Sequence, residues 1–214
     1  MYIKFFKRLF DILISTIGII VLALPMLFVA IAVKVDSKGP VFFKQKRIGI
    51  HKKTFMILKF RSMPVTAPHD TPTHQFDPSY KLSGFQHAIR RLSIDELPQL
   101  YNIWLGQMSF IGPRPALWNQ YDLIAERDKY GANDVKPGLT GWAQINGRDE
   151  LEIPVKAKLD GDYVRMLNTS GFRTDWKCFW RSIGVVIGHK GVSEGGAYET
   201  EKEETASEKE EIKG

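Results

Sequence analysis

Hydrophobic positions are spread unevenly along the chain. From Ile12 to Val33 no charged residue occurs, a run of 22. A helix of that length, at 1.5 Å per residue, could cross about 30 Å of hydrocarbon, and a buried core helix rarely needs so long an uncharged stretch. Lys4, Lys7 and Arg8 ahead of it and Ala30-Ile31-Ala32 within it imitate a cleavable leader. The apolar part is too long for one, and more basic residues follow at once. Lys34, Lys38, Lys44, Lys46 and Arg47 make the second flank basic as well, so the positive-inside tendency asks for both ends on the cytoplasmic face. Pro25 lies just past the middle, where it removes a backbone donor and crowds the carbonyl of Val21. A helix broken there, dipping into one leaflet and returning, satisfies both observations. A kinked spanning helix is the alternative, because membrane helices tolerate proline when neighbours satisfy the freed carbonyl.

Beyond Val35 the pattern is that of a globular domain. Val41-Phe42-Phe43 and Thr54 to Leu58 predict two short strands joined by a basic turn around Gly49. Residues 64–83 hold four prolines and read as a long loop; His69 and His74 in it match no metal-ligand spacing. Leu97, Leu100, Tyr101 and Trp104 recur at helical spacing and predict a helix from Ser93 to Leu105, stopped at Gly106. A second is expected from Trp118 to Tyr130 and a third from Asp175 to Gly188. In the third, Trp176, Phe179, Trp180, Ile183 and Ile187 form a stripe among Arg173, Lys177, Arg181 and Lys190. That stripe suits either a lipid interface or the protein core.

Composition narrows the class. At 43% apolar and 25% charged residues the chain can build a core, which excludes collagen-like and wholly disordered readings. The single cysteine, Cys178, excludes a disulfide framework or a cysteine zinc site and fits a reducing compartment. The net charge is +6, but residues 195–214 carry seven Glu against three Lys, so the first 194 residues carry +10. A body that basic expects a phosphate-rich partner: nucleic acid, an anionic membrane or a nucleotide. The acidic tail has almost no large apolar groups and is expected to be disordered.

The candidate chemistry centres on Ser93-Ile94-Asp95-Glu96-Leu97-Pro98. The plain reading is a capping box, Ser93 with Glu96, whose acids complement a helix dipole. The surroundings give a second reading. Arg90 and Arg91 precede it, and Arg114 follows between Pro113 and Pro115; guanidinium groups are the preferred bidentate partners of phosphate. A carboxylate beside them is a plausible place to bring phosphorus to a nucleophile. Lys59-Phe60-Arg61-Ser62-Met63 adds two cations at a strand end. Lys136 to Arg148, with three glycines, makes a loop whose backbone could approach a ligand closely, although it matches no standard phosphate motif.

Taken in order, Lys59–Met63, Asp95–Leu100, Met108–Pro115 and Lys136–Arg148 resemble the bacterial sugar transferases, the small monotopic phosphoglycosyl transferases. The resemblance covers roughly residues 4–194. It implies an α+β fold: one small globular catalytic domain with an N-terminal proline-broken re-entrant membrane helix and interfacial amphipathic helices. The expected division is 1–35 re-entrant anchor, 36–194 cytoplasmic transferase domain and 195–214 acidic tail. Lys7, Arg8 and Asp11 match the family's basic-then-acidic pattern at the head of the anchor.

The activity it implies is transfer of a phospho-sugar from a UDP-sugar to polyprenyl (undecaprenyl) phosphate, releasing UMP and initiating capsule, exopolysaccharide or O-glycan assembly. Asp95 would be the nucleophile of a covalent aspartyl-phosphosugar intermediate, with Glu96 beside it, and Mg²⁺ would be held by Asp95 and Glu96. Lys59, Arg61, Arg90, Arg114, Arg148 and Asp160 would bind the phosphates or the nucleotide sugar. The implied partners are UDP-sugar, polyprenyl phosphate, the membrane and downstream glycosyltransferases, with no nucleic acid and with homo-oligomerisation open; the location is the cytoplasmic face of the bacterial plasma membrane. The rival class is a membrane-attached basic protein that binds nucleic acid or anionic lipid without catalysis. Two departures from the family pattern stand out: Arg91-Leu92-Ser93-Ile94, where Thr-Ser-Leu is more familiar, and a 64–83 loop with little to align.

Overall fold

A computed structural model of the chain describes residues 2–67, 82–147 and 151–187. The expectations for His69, His74, Arg148 and the acidic tail, and most of the 64–83 loop, fall outside them. After a π-helical turn, Tyr2–Phe6, come α1 (Lys7–Val21) and α2 (Ala23–Asp36), bent by 62° at Leu22. Pro25 lies in the first turn of α2 and has no N–H to offer the Val21 carbonyl, so the ladder breaks where the sequence indicates. Among the described residues no single helix is long and apolar enough to cross a membrane; the bent pair together is.

The two strands are longer than the sequence reading had them but pair as it implies: β1 (Phe42–Ile48) and β2 (Thr54–Phe60) form an antiparallel hairpin, Phe42 opposite Phe60 and Ile48 opposite Thr54. Then come α3 (Gly84–Arg91), α4 (Gln99–Trp104), β3 (Ser109–Ile111), α5 (Tyr121–Asp128), β4 (Gly138–Thr140), α6 (Trp142–Ile145), α7 (Ile153–Ser170) and α8 (Phe172–Ile187). β3 and β4 pair in parallel. Mixed helix and separate small sheets make the fold α+β.

Three expectations change. The helix from Ser93 does not form, because Pro98 lacks the N–H it would donate to Ile94 and its ring would crowd that carbonyl. Ser93 instead adopts a left-handed conformation (φ 55°) without capping, Ile94–Glu96 makes a 3₁₀ turn, and α4 begins after the proline. The capping box lies upstream, where the Ser83 hydroxyl accepts from Gln86 N and the Gln86 side chain accepts from Ser83 N, starting α3. The glycines of the Lys136–Arg148 segment also have another use. A Cβ on Gly138 or Gly141 would run into the backbone of Gly112, so these residues let two main chains meet rather than admit a ligand.

α1 is inverted relative to a soluble helix. Its buried residues are Asp11 and Ser15, while Phe10, Leu13, Ile14, Ile17 and Ile20 are exposed. Asp11 Oδ1 accepts from Ser109 Oγ at 2.9 Å and Phe110 N at 3.1 Å, joining α1 to β3. Arg8 donates to the Ile103 and Trp104 carbonyls, both at 2.7 Å, capping the C-terminus of α4. Lys7 Nζ reaches Ile111 O, Tyr163 OH and Asp175 Oδ2. The apolar side of the bend meets the domain through Ile19 and Leu22 on Leu100 and Ile103, and through Met26 and Val33 on Phe60 and Ile89. At the other end of the chain, α8 turns Asp175, Cys178 and Ser182 inward and leaves Phe172, Trp176, Phe179 and Trp180 about half exposed. Of the two options open for that stripe, the core is excluded for Trp176, Phe179 and Trp180.

Candidate active site

The hairpin, the 3₁₀ turn and the segment after β3 converge on one cleft. β2 delivers Lys59 and runs directly into Ser62; the 3₁₀ turn presents Asp95 and Glu96; the rigid Gly112-Pro113-Arg114-Pro115 stretch supplies Arg114. Glu96 Oε1 accepts from Lys59 Nζ at 2.7 Å and from Arg114 Nη2 at 3.0 Å. Burial works against its charge, yet these two cations hold the Glu96 carboxyl far below the usual glutamate range. Asp95 Oδ2 accepts from Ser62 Oγ at 3.1 Å. Burial pushes its carboxyl above the ordinary aspartate value and the Glu96 charge adds to that, against the pull of Lys59, Arg90 and the Ser62 hydroxyl. The pair is therefore asymmetric: one acid is fixed as an anion, the other is left weakly solvated.

Asp95 opens onto a cleft of about 830 Å³, counting its solvent-filled mouth. Arg90, at the C-terminal end of α3, lines it alongside Asp95 and Lys59, and Phe42, Phe60, Met63, Pro64 and Val65 form an apolar side. That mixture of an apolar wall and converging polar groups is typical of a small-molecule site. Chemically, the cleft offers an oxygen nucleophile or base ringed by cations. Among the described residues no group of three His, Cys, Asp or Glu could hold a metal; the carboxylate lining the cleft is that of Asp95, with Glu96 next to it in the same turn.

Of the residues expected to bind phosphate, Lys59, Arg61 and Arg90 line the cleft, and Arg114 reaches Glu96 beside it. Arg61 and Asp160 also have structural partners. Arg61 is buried, and its guanidinium donates to the Lys38 carbonyl at 2.6 Å and to Ser37 O and Oγ at 2.7 and 2.9 Å, closing the C-terminal end of α2. Asp160 is sealed against Arg127, with Nη2 to Oδ2 at 2.6 Å and the two side chains 5% and 1% exposed. Arg127 also donates to the Arg114 carbonyl at 3.0 Å, so this pair supports the site from behind. Ser62 and Arg127 are the residues the sequence reading passed over. Ser62 stands inside the quoted Lys59–Met63 motif and could have been chosen from it; Arg127 carries no local signal.

The chain matches the bacterial sugar transferase family over residues 2–189. It belongs to that family. Among its relatives is an uncharacterized sugar transferase, EpsL, of Bacillus subtilis strain 168, 37% identical over 188 residues that cover 88% of this chain and 90% of the relative. Komagataeibacter xylinus has an undecaprenyl-phosphate glucose phosphotransferase that is 41% identical over 173 residues, 74% of this chain. The UDP-glucose:undecaprenyl-phosphate glucose-1-phosphate transferase of Escherichia coli K12 is 37% identical over 170 residues, 76% of this chain. The transferase spans 32% and 36% of the lengths of these two.

Proposed function

We propose that this chain transfers a phospho-sugar from a UDP-sugar to undecaprenyl phosphate, releasing UMP, as an initiating step of exopolysaccharide or related glycan assembly. The observation that carries the reading is the asymmetric acid pair at the cleft. Glu96 is pinned by Lys59 and Arg114, while Asp95 faces the cleft with only the Ser62 hydroxyl on its Oδ2 among the described contacts. The names of two relatives supply the substrate class.

In the first step an Asp95 carboxylate oxygen attacks the sugar-bearing phosphorus of the UDP-sugar. The new O–P bond forms as the bond to the bridging oxygen breaks, and UMP leaves with that electron pair. In the second, a phosphate oxygen of undecaprenyl phosphate attacks the same phosphorus, expels the Asp95 carboxylate and yields the polyprenyl diphosphate sugar. Arg90 and Arg114 lie where they can neutralise charge on the transferred phosphoryl group. A magnesium ion fits a site of one or two carboxylates completed by substrate phosphates; Asp95, with Glu96 beside it, would hold it, and the ion would offset the negative charge of the diphosphate.

The inverted α1, the 62° bend and the basic flanks on both sides support an anchor that dips into the cytoplasmic leaflet and returns, with 36–194 on the cytoplasmic side. The exposed rings of α8 would rest at the same level. Membranes carrying the full chain, incubated with a panel of UDP-sugars and Mg²⁺, should form UMP with one sugar and turn over only when undecaprenyl phosphate is added. Mass spectrometry of protein trapped without acceptor should find the phospho-sugar on Asp95. Turnover with no adduct on that residue overturns the two-step reading, and no UMP from any nucleotide sugar overturns the activity.

A further inference from the structure

The cleft has an apolar side that the phosphate chemistry leaves unused, and it begins where the anchor ends. Val35, in the last turn of α2, is 82% exposed; Val65 is 54% and Phe42 44% exposed. These three belong to one corner of the molecule. The link after α2 is tied to the strand that follows β2 by Arg61, which donates to Ser37 and Lys38. Gly39 lies so near Val65 that an added Cβ would stand 2.8 Å from its Cγ2. The Phe42 ring stacks on Phe60 at 5.4 Å, and Phe60 packs against Met26 and Val33 of α2. Exposed apolar surface therefore runs from the link after α2 over Val65 and Phe42 into the cleft. Phe42 pairs with Phe60, two residues before Ser62, whose hydroxyl donates to Asp95, so this rim adjoins the acid end of the cleft.

We propose that the Phe42–Val65 rim seats the first isoprene units of the lipid acceptor, with its phosphate directed inward toward Asp95. The assignment rests on the transferase reading above and names which wall of the same cleft takes which substrate. An isoprenyl phosphate is an apolar chain ending in a dianion, and this cleft has both kinds of surface: Val65 and Phe42 at a rim beside the link that follows α2, and the cations Lys59 and Arg90 around Asp95. A nucleotide sugar is polar along most of its length, so a rim of two exposed apolar side chains open toward the anchor matches it poorly.

The full chain in nanodiscs, photolabelled with an isoprenyl phosphate carrying a diazirine near its head, tests the proposal without turnover. Label is expected on the peptides that contain Phe42 and Val65, to be displaced by undecaprenyl phosphate but not by excess phosphatidylglycerol. It should fall about tenfold in Phe42→Ser combined with Val65→Ser, the scale of one side chain's apolar contact. Because Phe42 also stacks on the core ring of Phe60, thermal unfolding of the double variant is read alongside, and Val65→Ser alone, which leaves that ring in place, should lower labelling in the same direction. In turnover the same double variant should raise KM for undecaprenyl phosphate and leave KM for the UDP-sugar unchanged. Label elsewhere, displacement by phosphatidylglycerol, or a rise in KM for the UDP-sugar alone each overturns the assignment. A failed UMP assay in the unsubstituted protein would count against the transferase reading instead, because labelling reports occupancy of the rim independently.

Discussion

The cleft and the seam beneath it both bury acids beside cations, with opposite results. In the seam, Asp160 takes both Arg127 donors on Oδ2 and Asp175 takes Lys7, Tyr163 and Tyr2 across its two oxygens, each acid closed off from solvent. In the cleft, two adjacent acids share a cation supply that is spent almost wholly on one of them. Glu96 takes Lys59 and Arg114 on a single oxygen, and Asp95 is left to a hydroxyl. Paired with a cation and sealed from solvent, a carboxylate is structural. Half-partnered and open to a cavity, it is poised to react. Access and the allocation of partners separate the two regions, not the residue types.

The sharpest way to break this contrast is Asp95→Asn. UMP formation should fall about ten-thousandfold, as for loss of a nucleophile, while the melting temperature stays the same; an equal loss of stability would make Asp95 another structural acid. In the seam the pattern should reverse. Arg127→Met leaves Asp160 buried without its cation, which costs about 3 kcal/mol, or roughly 6–12 °C in thermal unfolding for a chain of this size. Adding Asp160→Leu should recover most of that, because the unpaired charge is gone.

A subtler test is Glu96→Gln. Activity of the unsubstituted protein should decline as the pH drops through the raised Asp95 value and the carboxylate takes up a proton. Removing the neighbouring negative charge takes away one cause of that rise, so the acid limb of the pH–rate profile should move to lower pH, even though the maximum rate is reduced. A limb that stays in place would show that Glu96 does not act on Asp95 electrostatically. The smallest effect is expected at Lys52→Ala. It breaks an exposed pair with Asp128 worth at most about 1 kcal/mol and should leave both activity and melting temperature close to those of the parent.

How much of this was legible beforehand depends on the reach of each interaction. The hairpin was, because Phe42-Phe43 and Thr54 to Leu58 alternate locally around Gly49. So was the bend, because one proline interrupts a long uncharged run. Asp95, Glu96, Lys59 and Arg114 were found together through the ordered motifs, and Arg90 through its place just ahead of the acid pair. Helix α7 was missed: Pro154, Gly161 and a polar sequence resemble a loop, whereas the proline occupies the first turn, where its missing N–H costs nothing. The structural partners of Arg61 and Asp160 were not legible, because they lie 24 and 33 residues away. A charge whose use is decided by a distant backbone carbonyl or a distant acid carries no mark in its neighbourhood.

The clasp formed by Lys7 and Tyr2 on Asp175 joins side chains 168 and 173 residues apart. During synthesis α1 leaves the ribosome well before α8, so the first helix must wait while the intervening polypeptide emerges. The latch can shut only after α8 has appeared. A nascent chain halted before α8 would hold α1 with that lysine not yet joined to Asp175.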